Sequence, residues 1–307
     1  MGAAKYCSED QVITLDNDTY ANRFSPDAAL LAVGGTLELV RRVVGGSLQN
    51  GFSIVRPPGH HAGTSEAMGF CLFNNVAISA RYARTVLGVD RVAIVDWDIH
   101  HGNGTQNIFY SDPNVLVFSV HKGGWFYPFT GTAEEVGVGK GTGSTVNVPF
   151  SHSNMKDGDY ITAFRYVLLP ILKEFCPSLI LVSAGYDCAR GDPIGGMAVS
   201  RYGFVKMLEM LKKQHPGTPM ACVLEGGYDA ESLGWGVADS IRVLLGEEKI
   251  LGEVEEEEIG YLEDPSSLGL EDILKVMHLQ RKYWKNIKQA EHDLDHLSHR
   301  ILYSGSI

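Results

Sequence analysis

The stretch Val92–Gln106, VAIVDWDIHHGNGTQ, runs from an unbroken apolar segment straight into Asp96, Asp98, His100 and His101. An apolar run of this length with no alternation reads as a strand buried on both faces, as in a parallel sheet, and carboxylates and imidazoles crowded at its end read as a site. Five further segments share the pattern: Gly51–Pro58, Asn114–His121, Ser144–Phe150, Ser178–Gly185 and Met220–Gly227. Between them lie helix candidates at Pro26–Val44, Asn74–Leu87, Asp157–Phe175, Arg201–Lys213 and Asp229–Leu245, the first with Ser25 as expected N-cap and Pro26 at the first helical position. Strand and helix in alternation specify an open α/β sheet.

In such sheets ligands bind outside the carboxyl ends of the strands. The unusual polar residues obey that rule: RPPGHHAG supplies His60 and His61, DWDIHHGNG supplies Asp98 and His100, SAGYDCARGDP supplies Asp187, and LEGGYD supplies Tyr228. Asp98 and His100, two residues apart in an extended segment, point to one side and offer a carboxylate and an imidazole to a divalent metal. Asp187 is a candidate third ligand, which would leave a position open for water, as at a catalytic zinc. Adjacent histidines are poor joint ligands for one ion, so His60 and His61 divide into a general acid–base and an electrostatic support. Asp96 and Asn103 are candidate partners for their second nitrogens. A carboxylate partner raises a histidine's basicity more than an amide does, so the two should titrate apart. Tyr228, on a Gly-Gly turn, could donate to a developing oxyanion. Taken alone, each of these residues is as well explained by loop capping or strand-end packing; together, at four strand ends, they point to one pocket.

The totals agree. The chain has 307 residues, 44% apolar, with 35 glycines and a formal charge of −11, part of it in the acidic run Gly252–Asp264. Such a chain is a poor nucleic-acid binder. Five cysteines without a C-x-x-C spacing suggest a reducing compartment, cytoplasmic or nuclear, rather than a disulfide scaffold. No run approaches the roughly 18 apolar residues of a membrane span. Lys122–Gly143, rich in Gly, Thr and aromatics, reads as a long loop, either functional or disordered. An amphipathic helix is expected over Leu270–Ile301, its His292, His296 and His299 forming an exposed face rather than a metal site.

The motifs RPPGHHA, GFCLFNN, VDWDIHHGNGTQ, VSAGYDCARGDP and LEGGYD, in this order from about Asp16 to Gly246, resemble the zinc-dependent histone deacetylases, class II and within it class IIb. The resemblance implies an arginase/deacetylase-like three-layer fold with a mainly parallel eight-stranded sheet. It implies hydrolysis of N6-acetyl-lysine in histone or other proteins to lysine and acetate. Asp98, His100 and Asp187 would then bind zinc. His61 would be general base and then acid, supported by Asn103. His60, paired with Asp96, would be its electrostatic partner, and Tyr228 the oxyanion donor. A structural potassium ion would lie at Asp96, Asp98, His100 and Ser119, while His101 would serve packing. Phe70 and Tyr127 would wall the lysine channel, Tyr127 replacing the usual phenylalanine. Gly69 would accept from the lysine N–H, and Asp18 would grip the substrate backbone. Ile194, at a gate that is glutamate in the polyamine branch, favours protein lysine. The family domain begins some tens of residues earlier, so the chain is expected to lack part of a sheet edge and rim. The expected domains are a catalytic domain at residues 1–250, an acidic linker at 251–269 and a helix at 270–307 that packs on the domain or on a protein partner. The alternatives are an amidohydrolase of small acetylated amines or longer acyl-lysines, and an inactive acyl-lysine binding scaffold; neither nucleic acid nor membrane is an expected partner.

Overall fold

The computed structural model describes residue 8 and residues 11–248, 250–251 and 262–303, with side chains to Leu294. Six parallel strands form the sheet: β3 (Asn50–Ser53), β4 (Val92–Asp96), β5 (Val115–Lys122), β6 (Thr145–Phe150), β7 (Leu179–Ala184) and β8 (Met220–Leu224), in the order β3-β8-β7-β4-β5-β6. Two short strands, β1 (Ile13–Thr14) and β2 (Tyr20–Ala21), make a separate antiparallel ribbon. The eight-stranded sheet is therefore six-stranded among the described residues. β1 and β2 pair only with each other and do not join the sheet.

Side-chain parity sorts the apolar strand residues into two layers. Val92, Ile94, Val115, Val117, Leu179, Leu181, Ala221 and Val223 meet α1 (Ser25–Val44) and α2 (Asn75–Thr85). The alternating set, including Val95, Phe118, Val146, Val182 and Cys222, packs with helices on the other face. Both faces are covered, which is why these strands carry continuous apolar runs. The second layer holds α4 (Asp157–Ala163) and α5 (Leu169–Phe175), joined by a π-helical turn at Phe164–Leu168, with α6 (Arg201–Gln214) and α7 (Ala230–Leu245).

Three local expectations change. Helix α1 starts at Ser25 itself: Phe24 is the N-cap without a side-chain bond, and Asn22 Oδ1 instead accepts from the Phe24 and Ser25 amides at 3.0 and 3.2 Å. Asn103–Phe109, outside the helix candidates, is a short helix, α3. The C-terminal segment is two helices, α8 (Ser267–Gln280) and α9 (Lys285–Tyr303), broken at Arg281–Trp284. The break lets Trp284 Nε1 donate to Gly143 O at 2.9 Å while Gln280 Nε2 reaches Thr145 O at 3.3 Å, so the exposed edge at β6 is partly covered. Leu270, Ile273, Met277, Ile287 and Leu294 join the same core as the sheet. Most of the acidic run, residues 252–261, and the side chains of His296 and His299 lie outside the described residues; His292 is exposed. No helix among the described residues is long and apolar enough to cross a membrane.

Candidate active site

The carboxyl ends of β3, β8, β7 and β4 are consecutive in the sheet, so their following loops converge. Asp98, His100 and Asp187 meet there, all buried, with one ligand atom from each inside a 4.8 Å sphere of mutual distances. His100 Nδ1 lies 3.1 Å from Asp98 Oδ1 and 3.0 Å from Asp187 Oδ2. The carboxylates are aimed by backbone: Gly226 N–H donates to Asp98 Oδ2 at 2.9 Å and Ile99 N–H to Asp187 Oδ1 at 2.9 Å. Gly226 must be glycine, since a Cβ there would stand 2.4 Å from Asp187 Oδ2 and 2.7 Å from Asp98 Oδ2.

Burial alone would depress His100, yet the two carboxylates lift it to about 10. Burial raises Asp187, with the Asp98 charge adding to the effect. Asp98 opposes its own burial through His60 and His100 and stays well below the ordinary carboxylate range. Two buried carboxylates and an imidazole thus compete for positive charge at one point. Two oxygens and one nitrogen are a donor set that suits zinc, so the residues present fit that ion.

His60 and His61 stand side by side, ring centroids 4.1 Å apart, with different partners. His60 Nδ1–H donates to Asp96 Oδ2 at 2.9 Å; burial works against its proton, but the Asp98 and Asp96 charges prevail and raise it well above the ordinary histidine value. His61 Nδ1–H donates to Asn103 Oδ1 at 2.7 Å, which leaves Nε2 with a free lone pair. Burial and the neighbouring His60 push His61 well below the ordinary value, so it is neutral. One imidazole is cationic and its neighbour is a neutral base.

Tyr228 is half-buried, its phenol pushed up by burial and by Asp98, and therefore protonated. Phe70 rests edge to face on Tyr228 at 6.1 Å; Tyr127 lies edge-on to His61 at 5.2 Å and to His100 at 6.1 Å. Phe126, the neighbouring ring, stacks on His100 at 5.0 Å. Asp18 Oδ1 accepts from Gly69 N–H at 3.2 Å, bringing the β1–β2 ribbon to the same mouth. Gly69 has φ +56°, and a Cβ there would collide with the His61 ring at 2.3 Å. Ile194 is exposed on the loop after β7.

Asp96 and Ser119 are register neighbours across β4 and β5, but the Ser119 hydroxyl bonds His121 Nδ1 at 2.7 Å and the Asp96 carboxylate is shared by His60 and the Asp98 amide. His101 does more than pack. It bonds Thr130 Oγ1 at 2.8 Å and Gln106 Oε1 at 3.0 Å, and Gln106 in turn holds Glu135, so this chain ties the Lys122–Gly143 loop to the floor of the site.

Two residues escaped the reading of the sequence. Asp192, in the GDP motif, accepts from Ile194 and Gly195 through Oδ1 and from Tyr228 and Asp229 through Oδ2, joining the two loops around Tyr228. Glu225, in LEGGYD, is fully buried and bonded to the turn that carries His60. The signal was a carboxylate directly after β8 for Glu225 and one in the loop after β7 for Asp192; only the fold shows which amides their oxygens accept from.

A parallel α/β sheet gathers at its strand ends three residues able to hold a metal ion, two adjacent histidines and Tyr228, an arrangement suited to hydrolysis. The histone deacetylase domain matches residues 2–244, and the chain belongs to that family. It is 46% identical to histone deacetylase 15 of Arabidopsis thaliana over 273 residues, 88% of this chain and 48% of that protein. Histone deacetylase 4 of Caenorhabditis elegans is 42% identical over 286 residues, 91% of this chain and 33% of that protein. The polyamine deacetylase HDAC10 of Mus musculus is 42% identical over 290 residues, 92% and 42% of the two chains. The crystal structure of the HDA15 HD domain superposes with a TM-score of 0.88 at 42% identity, covering 95% of this chain and 78% of the other. The chain thus spans a third to a half of the length of these curated relatives.

Proposed function

We propose that the protein is a zinc-dependent, class IIb-like lysine deacetylase that hydrolyses N6-acetyl-lysine in proteins. The observation that carries this is a pair of touching histidines, His60 bonded through Nδ1 to Asp96 and His61 through Nδ1 to Asn103, beside the Asp98–His100–Asp187 set. Zinc held by those three side chains would supply Lewis acidity and an acidified water. His61 Nε2 removes the proton from the attacking water as its oxygen adds to the acetyl carbon. The Tyr228 phenol donates to the carbonyl oxygen as it gains charge. His61 then returns the proton to the lysine nitrogen as the C–N bond breaks, releasing acetate and amine. His60, kept cationic by Asp96, holds the proton on its own ring and leaves His61 as the base. Phe70 and Tyr127 flank the lysine stem, the Gly69 carbonyl accepts from its N–H, and Asp18 holds the peptide backbone at the rim.

Ile194 offers no charge to a polyamine, which supports acetylated proteins, histones or cytoplasmic targets, as the substrates. We place the protein in the cytosol or nucleus, with a partner surface on the C-terminal helices. A structural potassium ion at Asp96, Asp98, His100 and Ser119 belongs to the same proposal. The test measures zinc content and turnover on this 307-residue chain, with an acetyl-lysine peptide, a longer acyl-lysine peptide and an acetylated polyamine side by side. About one zinc per chain and chelator-sensitive release of acetate from the peptide are expected. Preference for the polyamine or for the longer acyl group would replace the substrate class. Zinc binding with no turnover of any of the three would leave a binding scaffold.

A further inference from the structure

Glu225 is a fully buried carboxylate to which the mechanism above assigns no task. It follows β8 directly, and its Oε2 accepts two backbone amides, Gly59 N–H at 2.7 Å and His60 N–H at 3.1 Å. Its other oxygen accepts from Ser183 Oγ on β7 at 2.9 Å. Among the described residues neither Lys nor Arg pairs with the carboxylate; Arg56 reaches only its backbone carbonyl, at 3.4 Å. A carboxylate buried in this way is costly unless its acceptors are filled, and here backbone and a hydroxyl fill them. Three elements meet on this one side chain: the end of β8, the strand β7, and the turn after β3 that presents both histidines. The turn is itself tight, with Ala62 N–H bonded to Gly59 O at 3.0 Å, so moving Gly59 and His60 moves His61.

We propose that Glu225 is a positioning residue: through its two amide bonds it sets where His60 and His61 stand relative to Asp96, Asn103 and the substrate. This rests on the hydrolase reading for its rate effect but not for its geometry. Burial raises the carboxyl to about 7, and nearby His60 opposes that rise. What the turn requires is an oxygen at the right place.

Two near-isosteric variants separate place from charge. Glu225→Gln keeps a carbonyl oxygen within reach of both amides, and Ser183 can turn to accept from the new amide. Glu225→Asp keeps the charge but withdraws the carboxylate by one methylene, about 1.5 Å. The expected result is kcat within about threefold of wild type for Glu225→Gln and about tenfold or more lower for Glu225→Asp, with KM and zinc content unchanged in both and Tm lowered only in the Asp variant, whose two amides lose their acceptor. The imidazole ¹⁵N resonances of His60 and His61 should shift in the Asp variant and stay in place in the Gln variant. That spectrum is read whether or not the wild-type protein turns over, so loss of the hydrolase reading and loss of this inference are told apart. The reverse order of the variants would assign the role to charge. Equal, wild-type behaviour of both would remove the role, and parallel loss of rate, zinc and Tm in the Asp variant would make Glu225 a residue of folding alone.

Discussion

Tyr228→Phe removes a single oxygen from a ring held by Phe70 and by the Asp192 carboxylate beneath its backbone, so the site should keep its shape. Deacetylation is expected to fall by about two to three orders of magnitude in kcat with zinc content unchanged, which single-turnover kinetics and metal analysis together check. Asn103→Ala leaves His61 Nδ1–H without its 2.7 Å acceptor. The ring can then change tautomer or turn, and kcat should drop by about tenfold or more with little change in Tm. These roles were partly legible in the sequence because alternation and adjacency are local properties. Asp98 and His100 share a side by spacing, and neighbouring histidines need different partners. Which partner each histidine takes depends on where Asp96 and Asn103 sit in space, which spacing does not encode.

At the scale of elements, the loops after the strands are fixed by backbone amides and by glycines without room for a side chain. Gly226→Ala would press a methyl group against both carboxylates of the metal-ligand set. Zinc affinity should fall by at least about tenfold while the fold persists, measured by competition with a chelator of known affinity. Glu263 joins the end of the acidic run to α6 and the π turn, bonded to Lys206 at 2.8 Å, Tyr202 at 2.6 Å and Arg165. Burial would raise its carboxyl, but the Lys206, Tyr202 and Arg165 bonds outweigh burial and hold it at about 2. A carboxyl depressed on folding contributes stability above its unfolded value and loses that contribution as pH falls towards its folded one. Glu263→Gln should therefore lower stability by about 1–2 kcal/mol at pH 7, with the gap to wild type closing between about pH 4.5 and pH 2. Thermal melts of both proteins across that range read the sign directly.

For the whole molecule, the C-terminal helices are part of the core. Ile273 is fully buried among sheet and helix residues of the larger cluster, and Ile273→Ala should cost about 2–4 kcal/mol in urea unfolding. A chain ending before Ser267 would uncover the β6 edge and the apolar surface beneath Leu270, Ile273 and Met277, and it should appear in the aggregated fraction on gel filtration. The 307-residue chain on the same column sets the reference.

The sequence by itself determined the six strands of the parallel sheet, the α/β class and the candidate residues of the site, because double-sided burial writes continuous apolar runs and strand ends collect polar groups. It also carried the motifs of the deacetylase family. Tertiary structure alone decided the strand order, which brings four loop ends together. It decided the split of the final helix, which follows from Trp284 and Gln280 reaching the β6 side of the sheet. It decided the tasks of His101, Asp192 and Glu225, whose partners lie on other segments. A hydrogen bond from an amide 165 residues away, as from His60 N–H to Glu225, leaves no periodicity in a chain; it exists only once β3 and β8 lie side by side.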